Sequence, residues 1–204
     1  ALIGNPNAGK SSLFNSLTGL NQKTGNFPGV TMDKHTGIWE LEPNSKVEVL
    51  DLPGIYSIYP KSIDEELVIN ILGNPAHPDY PDMAIVVADA SNLKRNLLLF
   101  SQVRDLGIPT VLALNMVDVA ESQGYVINSI KLARELSIEV AEINAKKGIG
   151  VNGLRLAVEK TLKNRYASND ALPLPVAEDL LADITSQFGE ADPYRSLLWL
   201  MEHD

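Results

Sequence analysis

Short, continuous apolar runs alternate with amphipathic patterns along most of the chain. The runs Ala1–Ile3, Met83–Ala88 and Pro109–Leu114 show no alternation of polar and apolar residues, which is typical of strands buried on both faces. Between such runs, apolar residues recur at helical spacing, as in Asn92–Leu106. Strands that alternate with helices at this spacing predict βαβ units, and therefore a mainly parallel sheet with helices on both faces.

The pattern predicts an α/β fold with a mainly parallel, six-stranded sheet flanked by helices. The predicted strands are Ala1–Ile3, His35–Leu41, Lys46–Leu50, Met83–Ala88, Pro109–Leu114 and Ile138–Ile143. The predicted helices are Ser11–Leu20, Ile63–Leu72, Asn92–Leu106, Asn128–Leu136 and Val151–Asn164. The polar, glycine-containing stretch Asn21–Met32 is expected to be a loop.

The length of 204 residues suffices for one full domain and an appendage. A linker is expected over residues 166–175, which include Pro173 and Pro175. Beyond it, Val176–Phe188 carries an amphipathic helical pattern, and Asp192 begins a second one. We therefore expect a main domain over residues 1–165, a linker over 166–175 and the beginning of a small helical domain over 176–204.

A phosphate-binding motif follows the first predicted strand directly. Residues 4–11 read GNPNAGKS and fit the pattern G-x-x-x-x-G-K-[ST], in which successive backbone N–H groups surround a phosphate. Lys10 is expected to bridge β- and γ-phosphate oxygens, and the Ser11 hydroxyl to bind Mg²⁺. The residues expected to hold the phosphates are Asn7, Ala8, Gly9, Lys10, Ser11 and Ser12.

Asp51 and Gly54 form a D-x-x-G pattern at the end of the third predicted strand. An aspartate there can hold Mg²⁺ through a water, and the Gly54 N–H can approach a γ-phosphate. Thr31 lies in the loop before the second strand, where its hydroxyl can complete the Mg²⁺ shell. Because ligands bind at the carboxyl ends of parallel strands, these residues are expected to meet the phosphate loop.

The next two strand ends carry groups suited to a guanine base. The Asp118 carboxylate, in Asn115-x-x-Asp118, can accept hydrogen bonds from N1–H and the N2 amino group of guanine, which adenine does not offer. The segment Asn144–Lys146 follows the last strand and can place a backbone N–H at the guanine O6. The residues expected to bind the base are Asn115, Met116, Asp118, Asn144, Ala145 and Lys146.

Together and in this order, these motifs resemble the Ras-like (TRAFAC) P-loop GTPases, over Ala1 to about Asn164. The sequences GNPNAGKSSLFN at residues 4–15 and NFPGVT at 26–31 are similar to a bacterial branch of that class. Within it, DLPGIYSI at residues 51–58 and SIDEE at 62–66 resemble the ferrous iron transport protein B (FeoB) family. The closing residues 197–204, LLWLMEHD, resemble part of the helical domain that follows the G domain in that family.

The resemblance implies a GTP-binding and GTP-hydrolysing switch domain that regulates a ferrous iron membrane transporter. Its catalytic residues would be Lys10, Thr31 and Gly54, and Ser11, Thr31 and Asp51 would hold Mg²⁺. It implies a position at the cytoplasmic face of the bacterial inner membrane, with this segment itself soluble. The partners expected are guanine nucleotide and the membrane domain of the same polypeptide, and a homo-oligomer is left open.

Three positions depart from the Ras pattern. Ile55 stands where Ras-type enzymes carry the glutamine that orients the attacking water, so hydrolysis is expected to be slow, and the residue that positions the water is not identified. Met116 replaces the lysine of N-K-x-D, and Asn144 stands where serine is common. Without that glutamine or an arginine in the site, a K⁺ ion beside the phosphates is expected to neutralise the developing charge, with the Asn7 amide oxygen as a ligand. The resemblance implies the same, since potassium-activated relatives carry asparagine at the position of Asn7. The alternatives are an arginine supplied by a partner and an Asn7 that only braces the loop by hydrogen bonds.

Charge and composition limit the alternatives. The net charge is −9, and residues 166–204 contain eight acidic residues and one basic residue, Arg195. This charge argues against nucleic acid as a partner. A soluble ribosome-assembly GTPase shares the phosphate loop but would require a basic RNA-binding appendage. A nucleotide-sensing module that barely hydrolyses is the third interpretation, and Ile55 keeps it open. There is no cysteine, so thiolate chemistry is excluded.

Overall fold

The structure is a computed structural model and describes residues 1–19, 22–27, 32–43 and 45–164. The strands within these ranges are β1 (Leu2–Gly4), β2 (Gln22–Asn26), β3 (Asp33–Glu42), β4 (Ser45–Asp51), β5 (Ala84–Asp89), β6 (Thr110–Asn115) and β7 (Glu139–Ile143). The helices are α1 (Lys10–Thr18), α2 (Ile63–Gly73), α3 (Leu93–Asp105), α4 (Val117–Ser122), α5 (Ser129–Leu136) and α6 (Val151–Lys163).

All seven described strands form one mixed sheet in the order β2-β3-β4-β1-β5-β6-β7. The pairs on either side of β1, and those of β5 with β6 and β6 with β7, are parallel. Only β2 with β3 and β3 with β4 are antiparallel. The predicted α/β class with a mainly parallel sheet is confirmed. Because these strands run parallel, their carboxyl ends lie at one edge of the sheet.

The sheet has one strand more than the six predicted, because Gln22–Asn26 is a strand and not part of a loop. Every residue of β2 is exposed, so its sequence shows no alternation of apolar and polar positions. The strand is defined by its backbone pairing with β3, from Gln22 opposite Gly37 to Asn26 opposite Asp33. A prediction from hydrophobic pattern cannot detect an edge strand of this kind.

Two apolar layers enclose the sheet. On one face, β1 and β5 pack with α2 and α3 in a cluster that contains Ile3, Val68 and Leu99. On the other face, α1 packs on β1, β3 and β4, and α6 packs on β6 and β7. Their apolar layer contains Leu13, Phe14, Leu154 and their neighbours. Burying each large apolar side chain contributes about 1.5–3 kcal/mol. This packing fixes the first turn of α1 directly beyond the end of β1.

Within the described residues, no helix combines the length and the apolar character that crossing a membrane requires. The predicted linker at residues 166–175 and the helical domain at 176–204 lie outside the described residues. The division of the chain into these parts therefore stays a prediction.

Candidate nucleotide-binding site

The loop between β1 and α1 turns sharply and delivers the first turn of α1 to the sheet edge. The Ala8 N–H donates to the Asn5 carbonyl at 3.2 Å, and Asn7 and Gly9 have φ values of 66° and 94°. A Cβ atom on Gly9 would lie 2.2 Å from Asn115 Nδ2, so both conformation and space require glycine there. The free N–H groups at the helix N-terminus make this loop suited to an anion.

Asp51 connects the phosphate loop with the end of β4. Its Oδ1 accepts a hydrogen bond from Lys10 Nζ at 2.6 Å, and its Oδ2 accepts one from Ser11 Oγ at 3.4 Å. Both members of the ion pair are largely buried, with side chains 11% and 9% exposed. An ammonium has three donors, so Lys10 keeps two N–H groups for phosphate oxygens while it is paired with Asp51.

The chain after Asp51 runs beside β1 and brings Gly54 against the phosphate loop. The Leu52 N–H donates to the Leu2 carbonyl at 3.3 Å, and the Ile55 N–H donates to the Gly4 carbonyl at 3.2 Å. A Cβ atom on Gly54 would lie 3.1 Å from Pro6 backbone atoms, which is tighter than most real contacts. Gly54 is therefore placed where its backbone can approach a phosphate held by the loop.

Asn115, the last residue of β6, joins the phosphate loop to the loop after β7. Its Nδ2 donates to the Ala8 carbonyl at 2.9 Å, and its Oδ1 accepts from the Ala145 N–H at 3.0 Å. The side chain is buried, with 4% of the residue exposed. Both ends of the amide are thus used inside the protein, and Asn115 acts by holding two loops together.

Asp118 lies at the start of α4 with its carboxylate exposed to solvent. Its Oδ2 accepts from Asn144 Nδ2 at 3.1 Å and lies 3.7 Å from Lys147 Nζ, while its Oδ1 accepts from the Val119 N–H at 3.2 Å. Met116, with φ of 61°, is the N-cap of α4, and its Cε lies 3.8 Å from the position of a Cβ on Gly9. The contacts with Asn144 and Val119 orient the Asp118 carboxylate, and Met116 lies near the phosphate loop.

The structure thus brings the predicted residues after β1, β4, β6 and β7 to one edge of the sheet. Among the phosphate-loop residues, Asn7, Ser11 and Ser12 are exposed and Ala8 is buried. Lys146 is exposed beside the buried Ala145. Thr31 lies outside the described residues, and its predicted role stays a prediction.

Sequence reasoning missed several residues that shape the site. One is Lys147, which forms an ion pair with Asp118. Another is Glu65, which accepts hydrogen bonds from the backbone N–H groups of Tyr56 and Lys61 at 3.4 and 2.8 Å. A signal for Glu65 existed, because Ser62-x-x-Glu65 fits the capping box, and Ser62 Oγ accepts from the Glu65 N–H at 3.3 Å. No motif indicated Gln102, whose Oε1 accepts the Ile58 N–H at 3.2 Å.

The fold and the arrangement of these loops define a P-loop GTPase domain of the Ras-like class. Residues 1–158 match the sequence model of the family described as Ferrous iron transport protein B. The chain belongs to that family.

Curated relatives agree with this assignment. The chain is 41% identical over 159 residues to the Fe(2+) transporter FeoB of Leptospira biflexa, an alignment that covers 78% of this chain and 22% of that protein. It is 40% identical over 198 residues to the Fe(2+) transporter FeoB of Salmonella typhimurium, covering 91% of this chain and 24% of that protein. The chain spans about a quarter of the length of the curated relatives it matches.

Solved structures of related domains superpose on most of the chain. The cytosolic domain of L. pneumophila FeoB has a TM-score of 0.83 at 37% identity, and the match covers 97% of this chain and 85% of that one. A GDP-bound variant of S. thermophilus NFeoB has a TM-score of 0.79 at 36% identity, covering 100% of this chain and 78% of that one.

Proposed function

We propose that the chain is a GTP-binding and GTP-hydrolysing switch domain that regulates a ferrous iron transporter. The observation that carries the proposal is the cluster of Lys10, Ser11 and Asp51 beneath the phosphate loop, with distances of 2.6 and 3.4 Å to the two carboxylate oxygens. The GDP bound to the S. thermophilus relative supports guanine nucleotide as the ligand. Phosphoryl transfer depends mainly on positioning and charge stabilisation, and this cluster supplies both.

The donor set fits Mg²⁺. A hydroxyl at Ser11 and a carboxylate at Asp51 are the hard oxygen ligands that Mg²⁺ takes, usually one or two from the protein with water and substrate phosphates. The described residues contain no group of three or more His, Cys, Asp or Glu side chains able to hold a metal ion. When bound, the ion would neutralise charge on the phosphates. Thr31 is proposed as a further ligand.

We assign the recognition of the base to the loops after β6 and β7. Asp118 would accept two hydrogen bonds from guanine, and Asn144 and Lys147 hold its carboxylate in place. The Ala145 N–H donates to Asn115, so the neighbouring Lys146 N–H is the donor proposed for the guanine O6. The apolar stem of Met116 would lie against the base.

Replacement of Asp118 tests this assignment. Asp118→Ala should lower the preference for GDP over ADP by roughly a hundredfold or more, because two hydrogen bonds to a charged acceptor are lost. Competition between labelled GDP and unlabelled nucleotides measures it. Glu121→Ala, an exposed carboxylate on the same helix, is the control and should leave the preference unchanged. An unchanged preference in Asp118→Ala would contradict the base-binding role.

Asn7 is proposed as a ligand of K⁺. It is exposed at the tip of the loop, and its side chain forms no hydrogen bond with the part of the chain that the structure describes. It is therefore free to direct its amide oxygen at an ion beside the phosphates, where a cation would stabilise charge that develops during hydrolysis.

We expect hydrolysis to be slow. Ile55, at the position that orients water in Ras-type enzymes, is fully buried in the core, so it offers the attacking water neither a polar group nor contact. This observation also supports the second candidate function, a nucleotide-sensing module with negligible hydrolysis. Single-turnover hydrolysis of GTP separates the two.

Regulation of transport concerns the whole polypeptide. We propose that the domain lies at the cytoplasmic face of the inner membrane and acts on the membrane part of the same chain, with residues 176–204 as the start of a helical regulatory domain. Iron uptake by cells that express the full-length transporter with Lys10→Ala tests this proposal. Uptake equal to that of the wild type would show that the nucleotide site does not regulate transport.

A further inference from the structure

The segment Gly54–Ser62 connects β4 to α2 and is held to the protein at two buried points. The first is Ile55, whose N–H donates to Gly4 in the phosphate loop region at 3.2 Å. The second is Ile58, whose side chain is fully buried in the core that includes α2 and α3. At Ile55 the backbone N–H donates to a backbone carbonyl, whereas at Ile58 it donates to a side chain on α3.

Gln102 provides that partner. Its Oε1 accepts the Ile58 N–H at 3.2 Å, and the contact is buried, since Gln102 is 8% exposed and Ile58 is 0% exposed. A buried backbone N–H needs an acceptor, and no regular secondary structure supplies one at this residue. Gln102 therefore decides whether Ile58 can stay in the core with its N–H satisfied.

Beyond Ile58, the segment is also joined to α2. Glu65 accepts the Lys61 N–H at 2.8 Å and caps the helix that begins at Ile63, together with Ser62. Between the two buried points, Ile55 and Ile58, the contacts of the segment are exposed and weaker. The Tyr56 N–H reaches Glu65 at 3.4 Å, and the guanidinium of Arg95 lies 3.9 Å from the centre of the Tyr56 ring.

We infer that Gln102 is a positioning residue that anchors Ile58, so that only the residues before Ile58 change position when the bound nucleotide changes. Residues 54–57 follow the phosphate loop and the γ-phosphate, while residues 58–62 stay with α2 and α3 whichever nucleotide is bound. The inference rests on the proposed switch function, and it limits the part of Gly54–Ser62 that responds to the nucleotide to residues 54–57. By fixing the far end, Gln102 restricts the positions that the Gly54 N–H can take.

Hydrogen exchange of backbone amides tests this directly, on the 204-residue chain with GDP and with a non-hydrolysable GTP analogue. In the wild type, exchange should differ between the two nucleotides for residues 54–57 and be equal for 58–62. Gln102→Met keeps the length of the side chain but removes the acceptor. It should speed exchange of the Ile58 amide roughly tenfold or more and extend the nucleotide-dependent difference to residue 62.

Two further variants exclude a general effect on folding. Gln102→Glu keeps an acceptor oxygen. It should again confine the nucleotide-dependent difference in exchange to residues 54–57. Asn96→Met removes a buried amide from the same helix, one that donates to the carbonyl of Asn92, the N-cap of α3. It should leave the nucleotide-dependent difference in exchange confined to residues 54–57. In single-turnover assays, Gln102→Met should lower the hydrolysis rate and leave GDP affinity within about twofold of the wild type, because Gln102 acts on Gly54 through Ile58.

The outcomes separate this inference from the proposed function. Gln102 is not the anchor if exchange of residues 58–62 depends on the nucleotide in the wild type. The same holds if, in Gln102→Met, the nucleotide-dependent difference stays confined to residues 54–57. If neither part of the segment responds to the nucleotide in the wild type, the switch function itself is contradicted.

Discussion

The contacts of Asn115 predict that one side chain stabilises both halves of the nucleotide site. Asn115→Ala removes the hydrogen bonds to the Ala8 carbonyl and from the Ala145 N–H, at 2.9 and 3.0 Å. Both backbone groups belong to buried residues. A buried group left without a partner costs about 1–3 kcal/mol, so with two such groups the free energy of unfolding should fall by about 2–6 kcal/mol. That is a large fraction of the about 5–15 kcal/mol typical of a domain.

Urea denaturation without nucleotide measures this loss, and calorimetric titration with GDP measures its effect on binding. Since the phosphate and base loops lose their common support, GDP affinity should fall about tenfold, which corresponds to about 1.4 kcal/mol. Asn96→Ala is the matched control, because Asn96 is 3% exposed against 4% for Asn115 but donates only to Asn92, the N-cap of its own helix. It should cost about 1 kcal/mol and leave GDP affinity unchanged. Equal effects of the two substitutions on stability and affinity would refute the reasoning.

Two further predictions concern the ions. Ser11→Ala removes one proposed ligand, so turnover should lose most of its dependence on Mg²⁺ concentration, while stability should change by less than about 0.5 kcal/mol because the residue is exposed. A Mg²⁺ titration of turnover that matches the wild type would contradict the ligand role. For K⁺, turnover of the wild type should be faster in KCl than in NaCl at equal ionic strength, and Asn7→Ala should remove the difference. Equal wild-type rates in the two salts would exclude the ion.

The sequence predicted the elements whose side chains are buried. The strands β5 and β6 are mainly apolar runs, and nearly every residue in them is buried. The hydrophobic pattern was therefore sufficient to predict them as buried strands. The edge strand β2 and the six-residue helix α4 were missed. One is exposed throughout, and the other is too short for helical periodicity to appear.

In the candidate site, too, the sequence predicted some features and missed others. Motifs at strand ends predicted which residues lie near one another, because parallel strands share an edge. They did not predict the pairings within the site. Asn115 meets Ala8 across 107 positions of the chain, and Gln102 meets Ile58 across 44. Such contacts depend on how helices and loops pack in three dimensions, which no local pattern records.

Single-turnover hydrolysis tests the central proposal most directly. The chain, in excess over radiolabelled nucleotide and with Mg²⁺ and K⁺ present, is incubated separately with GTP and with ATP, and released phosphate is followed over time. The proposed function predicts slow but complete conversion of GTP that depends on Lys10, with no conversion of ATP above the uncatalysed rate. Equal conversion of ATP, or no conversion of GTP beyond that seen with Lys10→Ala, would contradict it.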